Sequence, residues 1–224
     1  MLPVGRTFLS ALGCSPIQPF SSMAISTENL RSPASLARFL LTTIVGFTLD
    51  LWTKHIAFLQ LASGAPYRGL GEDGRQHWFV NMRDDLIRSK GYDLIPGWLH
   101  FRLTVNEGAV FGIGQGQRWL FLVISLAAIF FLSYLFATSG RQRFYQFVLG
   151  LLLAGVLGNM YDRVRYGYVR DMIDGLPKWG IFPWIFNVAD VLLCVGVAMI
   201  FLYSLLHSRP RKPSHVQTVE TPMP

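Results

Sequence analysis

Two aspartates, Asp171 and Asp190, stand without a lysine beside them in a chain that has only 13 acidic residues among 224. Two carboxylates held close together share a proton, because like charges at short range do not both ionise. One can then act as general base on a water while the other serves as general acid. Each could equally be a satisfied helix cap or the partner of a cation, and residue type alone leaves both possibilities open. The two cysteines, Cys14 and Cys194, lie in a polar tail and an apolar run, so no disulfide is expected. No CxxC or Cys/His cluster suggests a metal site.

Other polar residues occur at helical spacing inside apolar runs. Asp50 and Lys54 are four apart, so on a helix they share a face and can pair. Asn159, Asp162 and Arg163 share another face, and Asn187 and Asp190, three apart, a third. Asp50 with Lys54, and Asp162 with Arg163, are expected to be structural charge pairs. Ionisable groups inside a membrane helix are costly and mark function by default.

The elements that must position these residues follow from composition. Hydrophobic residues make up 51% of the chain and charged residues 15%, with mean hydropathy +0.36. A soluble domain carries about 25% charged residues. Four apolar stretches, at about 36–60, 118–138, 144–163 and 184–206, approach the roughly 20 residues that cross a bilayer as a helix. The fold class expected is an α-helical integral membrane protein with four transmembrane helices and a small extracytoplasmic β element. Alternation over His100 to Val105 supplies a strand for that element. The net charge of +7 fits an excess of basic residues on cytoplasmic flanks, and no nucleic-acid partner is expected.

Basic residues on short flanks set the orientation. Arg31 and Arg38, Arg141 and Arg143, and Arg209, Arg211 and Lys212 put both termini and the 139–143 link in the cytoplasm. Residues 1–35 form an N-terminal cytoplasmic tail, 36–206 the membrane domain and 207–224 a C-terminal cytoplasmic tail. Segments 61–117 and 164–183 then lie outside. Within the first tail, LSALGC at 9–14 resembles a lipoprotein cleavage box only faintly, and Met23 is an alternative start. Residues 172–183 are rich in Gly and Pro and favour a turn, with Trp179, Ile181 and Phe182 suited to the membrane surface. Under this threading all the polar clusters converge at the outer face of the membrane, a level that a random scatter of polar residues would not share. A rise of 1.5 Å per residue puts Asp190 about 9 Å past Trp184.

Five short motifs recur in order along the chain. D-x-x-x-K stands as Asp50 to Lys54, and N-x-G-A-x-F as Asn106, Gly108, Ala109 and Phe111. G-N-x-x-D-R stands as Gly158, Asn159, Asp162 and Arg163, and G-x-V-x-D as Gly167, Val169 and Asp171. F-N-x-A-D stands as Phe186, Asn187, Ala189 and Asp190. Five motifs in order across 36–206 are specific where one would be weak, and with them the chain resembles the signal peptidase II family, the prolipoprotein signal peptidases.

The resemblance implies an aspartic endopeptidase with Asp171 and Asp190 as catalytic dyad. It implies that Asn159, Arg163 and Asn187 order the dyad and the substrate, that Asn106 and Gly108 contact the substrate, and that Asp50 and Lys54 support the site. It implies cleavage just before a cysteine bearing a thioether-linked diacylglyceryl group, with no metal or organic cofactor. The partners expected are diacylglyceryl-modified prolipoproteins and membrane phospholipids, and the protein is expected to act as a monomer. The localisation implied is multi-pass in the bacterial cytoplasmic (inner) membrane, with the active site at the outer face. Leu51, Arg170 and Val191 depart from residues common in the family, and 63–100 is longer and more charged than usual. Arg163, Arg165 and Arg170 are expected to snorkel toward headgroups or meet phosphate. Two competing readings are an ion or proton pathway in a transporter and a homologue that binds precursors without cleaving them.

Overall fold

The computed structural model describes residues 30, 32–61, 69–70, 76–77, 91–108, 114, 116–140, 142–177 and 184–207. Among them are four long helices: α1 (Pro33–Leu61), α2 (Arg118–Thr138), α3 (Arg143–Tyr166) and α4 (Val188–His207). Each is long and apolar enough to cross a membrane. The burial pattern is inverted relative to a water-soluble bundle. Leu41, Ile44, Phe130, Val197 and Phe201 are exposed, while Asp50, Lys54 and Asp162 are fully buried. Apolar helix faces turned outward suit a hydrocarbon solvent, and charges inside such a bundle must find partners there.

Helix α3 is the centre of the bundle and packs against α1, α2 and α4. Small residues allow the close approach, with Gly46 of α1 set against Ala154 of α3 and Gly155 of α3 against Ala189 and Leu193 of α4. The apolar core is built on Phe39, Phe136, Val148, Leu149 and Leu152, with the Phe39 and Phe136 rings stacked at 4.2 Å between centroids. At the end of the bundle opposite the sheet, the Gln146 amide donates to Ser35 Oγ and the Gly140 carbonyl and accepts from Arg38 Nε. That hub ties the start of α1 to the α2–α3 link.

The β element is a four-stranded antiparallel sheet, ordered β3 (Tyr92–Ile95), β4 (Leu99–Asn106), β5 (Val169–Gly175) and β6 (Ile185–Phe186). A separate ribbon pairs β1 (Gly69–Leu70) with β2 (Gln76–His77). The strand expected at 100–105 lies within β4. In the β4–β5 register Thr104 stands opposite Asp171 and Asn106 opposite Val169. Helix α3 ends at Gly167, whose φ of 92° is left-handed, and its N–H bonds back to the Arg163 carbonyl. The chain therefore turns sharply from α3 into β5.

Three expectations are corrected. Residues 172–175, expected to belong to a turn over 172–183, instead complete an inner strand of the sheet, β5. Buried on both faces at its start, β5 lacks the alternation that would have marked it. Helix α4 begins at Val188, not 184, so the rise from Trp184 does not measure the depth of Asp190, which stands in the first turn. Arg163 and Arg170 do not snorkel outward; they are 9% and 5% exposed, and Arg165 alone of the three is exposed. The expectations for Trp179, Ile181, Phe182, Ala109, Phe111, Cys14 and most of 63–90 lie outside the described residues.

Candidate active site

The site is assembled where the second half of α1, the end of α3, the start of α4 and strands β4 and β5 meet. Asn187 is the N-cap of α4. Its Oδ1 accepts from the Asp190 N–H at 3.0 Å, and Asp190 Oδ2 accepts from the Asn187 N–H at 3.2 Å. This reciprocal pair is a capping box, and it satisfies donors that a helix start would otherwise leave open. The same Asn187 donates through Nδ2 to Asp171 Oδ1 at 2.6 Å and to Asn159 Oδ1 at 3.1 Å. Asn159 Nδ2 in turn donates to Asp190 Oδ1 at 2.8 Å. One cap residue thus touches both aspartates and fixes the orientation of the strand that carries one against the helix that carries the other.

Asp171 is 1% exposed and the Asn106 amide also bonds to it. Burial, and then the charge of Asp190, push its carboxyl up to about 7, against the hydrogen bonds from Asn187 and Asn106 and the charge of Lys54. Both oxygens of Asp190 accept from N–H donors, Oδ1 from Asn159 Nδ2 and Oδ2 from the Asn187 backbone.

Beneath the pair lies a buried ionic cluster. Lys54 Nζ is 2.7 Å from Asp50 Oδ2, 3.2 Å from Asp162 Oδ2 and 3.3 Å from Asn159 Oδ1. Asp50 Oδ1 accepts from the Ala189 N–H at 2.8 Å. Asp162 accepts from the Arg170 N–H at 3.0 Å and from Arg170 Nε and its terminal nitrogen at 3.1 and 2.8 Å. Arg163 instead donates to the Gly108 carbonyl at 2.8 Å and lies over the Phe121 ring at 4.8 Å. Asn106 Oδ1 accepts from the Gly108 N–H at 3.0 Å, which closes a tight turn after β4.

The family model of signal peptidase II, Peptidase_A8, matches residues 42–206, which span every residue of this site. The chain belongs to the signal peptidase II family. Relatives called lipoprotein signal peptidase include those of Halothermothrix orenii, 39% identical over 51% of this chain and 76% of its own, and Halalkalibacterium halodurans, 41% identical over 53% and 76%. That of Clostridioides difficile is 33% identical over 57% and 82%. Among solved structures, a bacterial membrane enzyme determined by the in meso method at 2.3 Å superposes with TM-score 0.60, at 28% identity over 80% of this chain and 94% of that one.

Cleavage of prolipoprotein signal peptides is the role of the signal peptidase II family, and this chain is a multi-pass membrane protein of that family. All nine residues singled out from the sequence come together: Asp171, Asp190, Asn159 and Asn187 in one hydrogen-bonded group, Asp50 and Lys54 below it, and Asn106, Gly108 and Arg163 at its β4 edge. The Asp50–Lys54 pairing is present as expected. The expected Asp162–Arg163 pair is not: neighbours on a helix point about 100° apart, and Asp162 turns inward to Lys54 and Arg170. Sequence reasoning missed Arg170 as part of the site. Its only signal was a charge at a position where family members commonly have an apolar residue.

Proposed function

We propose that this signal peptidase II is an aspartic endopeptidase that cuts diacylglyceryl-modified prolipoproteins on the N-terminal side of the lipidated cysteine, with Asp171 and Asp190 as its dyad. The observation that carries the reading is Asn187, which bridges two buried or half-buried carboxylates, with burial pushing the Asp171 carboxyl up to about 7. Asp190 takes a proton from a water whose oxygen attacks the scissile carbonyl carbon. Asp171 gives its proton toward the developing oxyanion. Collapse expels the amine of the lipidated cysteine, which leaves with a proton relayed through the dyad. Asn159, Asn187 and Arg163 order the dyad and the substrate, Asn106 and Gly108 form a substrate-contacting turn, and Asp50 and Lys54 support the site. No metal or organic cofactor takes part.

An apolar cavity of about 600 Å³ is lined among others by Trp52, Ile56, Ala57, Phe101, Met172 and Val188. Met172 follows Asp171 along β5 and Val188 follows Asn187 at the start of α4, so the cavity shares its elements with the dyad and is the space this reading gives to apolar groups of the substrate. The positive flanks support a topology in which both termini are cytoplasmic and the site lies at the outer face of the bacterial inner membrane, among phospholipids. Tails 1–35 and 207–224 then flank a 36–206 peptidase domain. One chain carries every residue the dyad needs, and this reading takes the enzyme as a monomer.

The test is cleavage of a diacylglyceryl-modified precursor peptide by purified protein in detergent. Asp171→Asn and Asp190→Asn should each abolish cleavage while leaving folding and precursor binding intact. The unlipidated peptide should be cut poorly, because nothing holds its junction at the dyad. Near-normal turnover by either variant, or equal rates on both peptides, sinks the reading.

A further inference from the structure

Resting on the dyad assignment above, the structure assigns a positioning role to Arg170: through Asp162 and Lys54 it holds the backbone that carries Asp171 in step with the backbone that carries Asp190. The residues preceding the two aspartates, Arg170 and Ala189, each donate their peptide N–H to a buried carboxylate, Asp162 at 3.0 Å and Asp50 at 2.8 Å. Those two carboxylates share one ammonium, Lys54, at 3.2 and 2.7 Å. The path therefore runs from one catalytic strand to the catalytic helix through α1 and α3, without touching the dyad.

Arg170 completes this bracket. Its guanidinium grips Asp162 Oδ1 with two nitrogens, lies 4.4 Å over the Tyr166 ring and faces Phe58 at 5.7 Å. A planar fork between a carboxylate and an aromatic face has one orientation, which lysine cannot reproduce. Charge matters as well. Asp50 and Asp162 are fully buried, and Lys54 alone would leave the cluster one negative charge in excess. Arg170 restores the balance, so Asp162 does not monopolise Lys54, the cation that favours ionisation of Asp171. The charged or titratable groups facing this bracket are Asp50 and Lys54 from α1, Asp162, Arg163 and Tyr166 from α3, Asp171 from β5 and Asp190 from α4.

Arg170→Met should lower kcat about tenfold or more and leave KM within about a factor of two, since misplacement of reacting groups is felt in the chemical step. Asp162 should then draw Lys54 away from Asp171, and the alkaline limb of the pH–rate profile should move up. Arg170→Lys keeps the charge and loses the fork. Its limb should stay near the wild-type position while kcat stays low. Wild-type kcat in folded Arg170→Met, or a lower kcat with an unmoved limb, overturns the proposal. If Arg170→Met does not accumulate, Arg170→Lys decides alone: wild-type kcat overturns it, and reduced kcat with an unmoved limb upholds it. Asp171→Asn and Asp190→Asn run in parallel separate the two ideas. If these still cleave, the dyad assignment has failed; if they are dead and both Arg170 variants are normal, only the bracket has failed.

Discussion

The side-chain amide nitrogen of Asn187 stands 2.6 Å from Asp171 Oδ1, while the oxygen of the same amide caps the N–H of Asp190 at 3.0 Å. The two functions can be separated. Asn187→Ala should lose both, lowering stability by about 1 kcal/mol, as loss of an N-cap does, and turnover about a hundredfold through the freed Asp171. Asn187→Ser should restore the cap but not the reach to Asp171. Thermal unfolding in detergent should thus recover in Asn187→Ser while cleavage of the lipidated peptide does not. Full recovery of both would show that the cap alone matters.

The raised carboxyl of Asp171 makes a signed prediction about pH. The unfolded group titrates at 3.8 and the folded one at about 7, so the folded state binds the proton more tightly. The stability this contributes is fully present below 3.8 and is lost as pH rises through about 7. The midpoint of thermal unfolding should therefore fall across that window, and Asp171→Asn should flatten this part of the curve. In the same window the general acid is lost, so kcat/KM should decline on the alkaline side with a midpoint near neutrality. An alkaline limb far from that range, or an unchanged stability slope in Asp171→Asn, would contradict the assignment of the proton to Asp171.

Legibility in the sequence tracked the range of the contact. Asp50 with Lys54 and Asn187 with Asp190 are one helical turn apart, and spacing alone placed each pair on one face. The four helices were equally plain, because hydrocarbon demands long apolar runs. Sequence spacing pairs Asp162 with its neighbour Arg163, yet it turns to Lys54, 108 positions away, and to Arg170 across the α3–β5 corner. No local periodicity encodes a choice between two nearby arginines; the turn at Gly167 makes it. Strand β5 was illegible for a related reason. Val169, Arg170, Asp171 and Met172 are all buried, the charged ones through partners on other elements, so polarity ceased to report the face.

The tight seam between α1 and α3 tests whether the bracket's spacing matters to chemistry. A Cβ added at Gly158 would overlap Asp50 Oδ2 and come within 3.1 Å of Ala189 Cβ. Asp50 cannot step aside without giving up Lys54 or the Ala189 N–H. Gly158→Ala should therefore push α1 or α4 away from α3, costing about 1–3 kcal/mol as overpacking does, and reduce turnover about a hundredfold through displacement of roughly 1 Å at the dyad. Gly196→Ala is the control. Its Cβ would meet Leu152 Cδ2 at 2.6 Å and Cγ at 2.8 Å, a similar steric insult, but six residues down α4 from Asp190 and against an apolar side chain. That variant should lose stability on the same scale and keep kcat. The comparison is read from thermal unfolding and from single-turnover cleavage of the lipidated peptide. Equal kcat in Gly158→Ala and Gly196→Ala would mean that the helix seam stabilises the bundle without setting the position of the dyad.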